Sequence, residues 1–159
     1  MAQNPDPFIE LTNLKGRTRP LDDWLTTFHL CLVVLASRPE AQTYVPAARR
    51  ALEVFRGADC KTAFLVTGTE HHARRILGAD ADRFVVFLDP ERKFVENLGL
   101  SHLPAFVHLR ADTTLVDAAE GWDPKAWDRV AEGLGKAMAW SRPTYPMPGD
   151  PPPFEGWAV

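Results

Sequence analysis

The sequence predicts an α/β sandwich with a mainly parallel core, and three observations carry that reading. Apolar runs of strand length alternate along the chain with stretches of helical period, as in helices packed on the faces of a parallel sheet. The chain has 159 residues, 45% hydrophobic and 25% charged, which fits one globular domain and excludes disorder throughout. The last two strand-like runs are joined at Arg110-Ala111-Asp112-Thr113, which predicts an antiparallel hairpin closing the sheet.

Taken in order, residues 1–7 form a polar, proline-bearing arm, and Phe8-Ile9-Glu10-Leu11 is a short β entry followed by a turn at Lys15-Gly16-Arg17. A short helix or turn spans Leu21 to Phe28, beginning near Pro20, and a buried strand runs from about His29 to Ala36. Val45, Ala48, Leu52 and Phe55 recur at helical steps and predict a helix from about Ala41 to Arg56. Pro46 removes a backbone donor there and clashes with the preceding turn, so the helix should bend or restart at that point.

Thr62 to Thr67 is a second strand, bulky at Phe64, Leu65 and Val66. Thr69 is placed to cap a helix over Glu70 to Leu77 and Gly78 to end it. Phe84 to Leu88 is a third core strand, and Asp89-Pro90 opens a helix with proline at its first position, carrying Phe94, Val95 and Leu98 on one face. Strands over Ala105 to Leu109 and Thr114 to Ala119 follow. Asp123 caps and Pro124 starts a final helix with Trp127, Val130, Ala131, Leu134 and Met138 in one apolar stripe, and the domain, residues 8–140, ends near Trp140. Residues 141–159 hold six of the 14 prolines, a composition that favours extended polyproline II over packed structure.

Charge and cysteine usage narrow the function. A formal net charge of −3 offers no basic footprint for nucleic acid and no polybasic stripe for a membrane surface, so neither partner is expected. The longest apolar run, Leu30 to Ala36, is far shorter than a bilayer-spanning helix, and the N-terminal residues lack the features of a secretory signal, which predicts a cytoplasmic protein. Cys31 and Cys60 form no C-x-x-C pair.

The order β, α, β, α, β, α, then Leu103-Pro104 before two antiparallel strands and a helix, resembles the thioredoxin-like superfamily. The opening residues 8–16, the run Val86-Phe87-Leu88-Asp89-Pro90 and the run Asn97 to Ala105 are most similar to its alkyl-hydroperoxide-reductase/TlpA-type branch, and the resemblance covers about Phe8 to Ala137. It implies a thioredoxin-like three-layer α/β/α sandwich with a central mixed sheet and a cis-proline loop at Pro104. It also implies a redox C-x-x-C eight and five residues before the helix-kinking proline; counted back from Pro46, those positions are Arg38 and Ala41, so both thiols are absent. A peroxiredoxin-type Thr-x-x-Cys is missing as well. Disulfide exchange needs a thiolate, which neither a guanidinium nor a methyl group supplies.

The remaining candidates each have a plainer alternative. Cys31 and Cys60 fall near the N-terminal edges of their strands, whereas open α/β sheets place sites at the carboxyl ends. They are read as reduced core or near-core thiols, or as a facultative disulfide between adjacent strands. Glu70-His71-His72 lacks a third ligand and reads as a solvated helical turn, so no metal and no cofactor is expected. Arg38, Pro39 and Glu40 at a helix start could receive an anion or a partner carboxylate. The resemblance places His102, Leu103 and Pro104 opposite them and Trp122 at the border of the same groove. Tyr145, Phe154 and Trp157 in the tail could dock on another chain or wrap back on their own domain.

These residues predict a redox-inactive protein-interaction, assembly or chaperone-like module whose partner is another protein, and a homo-oligomer is compatible with it. The alternatives are an atypical thiol oxidoreductase or peroxidase using Cys31 and Cys60, and an anion or small-molecule binder at the helix N-terminus near Arg38.

Overall fold

A computed structural model describes residues 1–159. Strands β1 (Glu10–Asn13) and β2 (Thr18–Pro20) form a hairpin, followed by helix α1 (Leu21–Leu25) and strand β3 (His29–Leu35). A 3₁₀ helix over Pro39–Tyr44 leads into α2 (Val45–Phe55); then come β4 (Cys60–Val66), α3 (Glu70–Leu77), α4 (Asp80–Arg83), β5 (Val85–Leu88) and α5 (Lys93–Asn97). The chain continues through β6 (His102–Leu103), β7 (Ala105–Leu109), β8 (Leu115–Glu120), α6 (Pro124–Met138) and β9 (Trp157–Ala158).

The main sheet has the order β2-β1-β5-β4-β3-β7-β8. Strands β3, β4 and β5 run parallel, and β7 and β8 form the expected antiparallel hairpin against β3. Because side chains alternate along a strand, β3 feeds both faces: Leu30, Leu32 and Val34 enter one apolar core, Cys31, Val33 and Leu35 the other. The first core lies under α1, α5 and the N-terminal hairpin; the second lies under α2, α3, α4 and α6. A strand buried on both sides reads as a continuous apolar run, which is why the central strands are legible in the sequence. The molecule is therefore a three-layer α/β/α sandwich with a mixed sheet. No helix is long and apolar enough to cross a membrane.

Several elements differ from expectation for identifiable reasons. The first strand starts at Glu10, and Phe8, expected inside it, is 70% exposed. The helix predicted from Ala41 is split: residues 39–44 are 3₁₀ and the α-helix restarts at Val45, putting Pro46 in its first turn, where a backbone N–H needs no intrahelical acceptor. Pro90 does not open a helix. It lies in a turn, Arg92 takes a left-handed conformation (φ 60°), and α5 begins at Lys93. Buried Asp89 still caps that helix, its carboxylate accepting from the N–H groups of Phe94 (3.2 Å) and Val95 (3.0 Å).

The composition favours extended polyproline II over packed structure, but the tail packs against its own domain and turns on the way, with a cis peptide between Tyr145 and Pro146 and Asp150 N donating to the Met147 carbonyl at 3.1 Å. Tyr145 is buried and its hydroxyl donates to the carbonyl of Ala47; Asp150 pairs with Arg50, whose guanidinium also lies 4.9 Å from the Tyr145 ring. Aromatic contacts run from Phe106 through Trp127 and Trp122 to Tyr145, with ring centres 5.0–5.8 Å apart.

Candidate functional site

The site forms where three segments meet at the carboxyl end of β3. The first is the exit from that strand: Ala36 and Ser37 lead to Arg38, whose backbone is extended (φ −115°, ψ 142°), and Pro39 then starts the 3₁₀ turn. The second is β6 with the cis peptide between Leu103 and Pro104. Glu120 holds this loop by accepting from the N–H groups of Ser101 and His102, and the Pro104 carbonyl accepts from Gly121 N at 2.7 Å. The third segment is the end of the tail.

That tail end lies along β6 as a strand. Leu103 pairs with Trp157 and His102 with Ala158 in antiparallel register, and Val159 N donates to the Ser101 carbonyl at 3.0 Å. One step earlier, Phe154 and Trp122 exchange both backbone hydrogen bonds, at 2.7 and 2.9 Å. Tyr44 stacks on Phe154 (5.6 Å between centres, 12° between planes) and meets Trp157 edge-on at 5.9 Å. The Arg38 guanidinium covers Trp157 at 4.9 Å. A cation over an indole face is favourable by about 0.5–1 kcal/mol when exposed. Beside the Arg38–Trp157 contact is a cavity of about 270 Å³ lined by Ser37, Arg38, Thr67, Arg92, Leu103 and Trp157.

Of the residues singled out from sequence, Arg38, His102, Leu103, Pro104, Trp122, Phe154 and Trp157 meet in this assembly. Pro39 and Glu40 are exposed beside it; Glu40 lies 3.8 Å from Arg38, an open pair worth about 0–1 kcal/mol. Trp122 is fully buried, its indole N–H donating to the Pro151 carbonyl at 2.8 Å, so it holds the groove from below and offers no exposed face. Tyr145 lies deeper still, against Trp122 and Trp127.

Sequence reasoning missed Tyr44, hidden in a predicted helix, and Gly156, and it placed Gly121 at the groove only as the neighbour of Trp122. Both glycines have positive φ, +77° and +99°, and each sits beside a tryptophan. A glycine next to an aromatic anchor was the available signal. The Glu70-His71-His72 run is a helix start: Glu70 pairs with Arg74 at 2.8 Å, and His72 Nδ1 closes a capping box with Thr69.

The two sulfurs lie at the other end of the sheet. Cys60 begins β4, beside His29 of β3, and Cys31 lies two residues further along that strand. Burial, with a smaller contribution from neighbouring Cys60, pushes the Cys31 thiol well above its ordinary pKa. Burial and then the Asp59 carboxylate push Cys60 up to about 11. Cys60 instead donates to the Phe55 carbonyl at 3.3 Å. The thiolate fraction falls about a hundredfold, but a thiolate of higher pKa is several-fold more nucleophilic, so Cys60 is expected to react with a disulfide reagent about tenfold more slowly in the folded protein than after unfolding. Cys31 should be slower again. Thiol counting with and without denaturant checks this; equal rates in both states would contradict it.

His29 Nδ1 lies 2.9 Å from His108 Nε2, near Cys31 on the same sheet face, and the second ring nitrogen of His108 is buried without a partner. The arrangement is satisfied when the His108 proton sits on Nε2 and is donated to His29, which leaves only a lone pair facing the core. Burial, then the neighbouring His29, depress the pKa of His108 to about 4, with Asp117 pulling the other way.

No protein-family profile matches the sequence, and no curated protein does. Solved structures match across most of their length. A protein assigned as the thiol:disulfide interchange protein DsbE from Chlorobium tepidum is 16% identical, with 86% of this chain and 97% of that one covered and a TM-score of 0.68. Peroxiredoxin Q from Xanthomonas campestris is 14% identical over 84% and 93% of the two chains, with a TM-score of 0.64. A thioredoxin-like protein from Porphyromonas gingivalis is 13% identical over 87% and 95%, with a TM-score of 0.64. The fold is thioredoxin-like, shared with thiol–disulfide oxidoreductases and peroxiredoxins.

Proposed function

We propose that this chain is a thioredoxin-like protein without thiol redox activity that serves as a protein-interaction or assembly module, chaperone-like in that it holds an extended segment of another protein. It would work in the cytoplasm. The observation that carries the reading is positional. Arg38 and Ala41 lie between β3 and α2, at the same end of the sheet as the cis-proline, while both sulfurs lie at the opposite end with raised pKa values. The scaffold keeps its groove and holds no thiol in it.

Insulin-reduction and peroxide-reduction assays with the intact protein are expected to show no turnover above buffer. Robust turnover that disappears in Cys31→Ser or Cys60→Ser would overturn the reading in favour of an atypical thiol enzyme.

A further inference from the structure

We infer that residues 154–159 are a built-in competitor for the ligand of this groove. The edge beside Pro104 takes an extended protein segment with two aromatic side chains three positions apart and glycine before the second, and the tail must leave before such a segment enters. The inference rests on the interaction-module reading and adds to it the partner's chemical class and the control of access.

Three observations carry it. First, β6 belongs to no strand of the main sheet; β9 is its partner, so release of the tail opens an unpaired strand edge. An open edge accepts any extended chain through its main-chain groups, and side-chain pockets supply the selection. Second, the fit between the backbones is built in. A Cβ on Gly156 would stand 2.8 Å from the Leu103 carbonyl oxygen and 3.2 Å from the Gly121 Cα; one on Gly121 would stand 2.5 Å from the Glu155 oxygen. Two glycines with positive φ face each other so that the chains can approach this closely.

Third, the contacts divide the tail into a fixed part and a releasable part. Upstream, buried Tyr145 and the Arg50–Asp150 pair fasten the chain. After Pro151-Pro152-Pro153, Phe154 and Trp157 turn their rings to Tyr44 and Arg38 yet remain only half-buried, while Glu155 and Ala158 face solvent. Segments with few buried contacts open locally at far less than the global free energy. A tethered strand of this kind competes at an effective concentration in the millimolar range.

The test uses the full chain and two release variants. Gly156→Val puts a branched side chain against the Leu103 carbonyl, and Phe154→Ala/Trp157→Ala removes both rings while leaving the groove intact. The probe is a labelled peptide with the sequence of residues 152–159, read by fluorescence anisotropy, and hydrogen exchange at Leu103, the β6 amide not held by Glu120, and at Trp122, which donates to the Phe154 carbonyl, reports whether the tail has left. Both variants are expected to exchange faster at these amides and to bind the peptide at least tenfold more tightly than the wild type, and a peptide lacking both aromatics should not bind. Equal binding by wild type and variants would overturn the competitor while leaving the docking surface intact. Faster exchange without peptide binding would overturn the ligand class and, with it, the docking surface itself. Unchanged exchange in both variants would show that the tail is not releasable and overturn the inference. A wild-type dimer dissociated by the peptide would assign the groove to a second copy of this chain and overturn the choice of partner.

Discussion

Trp122→Ala is expected to lower the stability of the protein by about 3–5 kcal/mol, the range for truncating a fully buried aromatic. The residue has no exposed surface; its ring meets Trp127 and Tyr145 edge-on, its indole N–H is bonded to Pro151, and its backbone is paired with Phe154. Truncation leaves a cavity under α6 and strips the Pro151 carbonyl of its donor, so packing and polar costs add. For a chain of this length the loss corresponds to roughly 6–20 °C in Tm. Urea unfolding of wild type and variant measures it, and Trp122→Phe, which keeps the ring but not the donor, should fall in between. A loss under about 1 kcal/mol would mean that the aromatic stack does not support the groove.

Acid is expected to weaken the fold through His108, which is almost fully buried and whose second nitrogen has no acceptor for the proton that ionisation would add. The groups facing it are His29, which disfavours the charge, and Asp117, which favours it but is already engaged by Arg129 at 2.9 and 3.1 Å. An unfolded histidine titrates near 6.5 and folded His108 near 4, so the unfolded chain takes up the proton first as pH falls. Stability from this group is therefore full above about pH 6.5, declines between about 6.5 and 4, and changes no further below that. The interval is worth at most about 3 kcal/mol. Urea midpoints collected from pH 7.5 to 4.5 should show this slope in the wild type and a shallower one in His108→Phe. Parallel profiles would contradict the assignment.

The parts of the molecule legible in the sequence are those whose signal is local. The run Leu30 to Ala36 and the run Phe84 to Leu88 carry their burial in their own composition, and the last helix carries cap, proline and stripe within sixteen residues. Asp80–Arg83 is invisible there because Ala81 alone marks its buried face: the Asp80 carboxylate pairs with Arg49 at 2.7 Å and Arg83 at 3.3 Å, contacts that no local pattern announces. Strands β6 and β9 have two residues each and exist only through one another, across a long stretch of chain. No window of sequence contains that pairing.

The candidate site divides in the same way. Arg38, the His102-Leu103-Pro104 run and Trp157 can each be singled out within their own segments, but their convergence is a tertiary fact. The burial of Trp122 is undecidable from its neighbours because, Trp127 apart, the groups that cover it, Tyr145, Pro151 and Phe154, come from the tail.

Four rings from Phe106 to Tyr145 are locked in a chiral array inside the domain, while Tyr44, Phe154 and Trp157 form a second array only when the tail is seated. Near-ultraviolet circular dichroism responds to such fixed asymmetric packing and not to helix content. The chain thus contains its own unlabelled optical reporter, in which the seated tail contributes a component separable from that of the permanent interior.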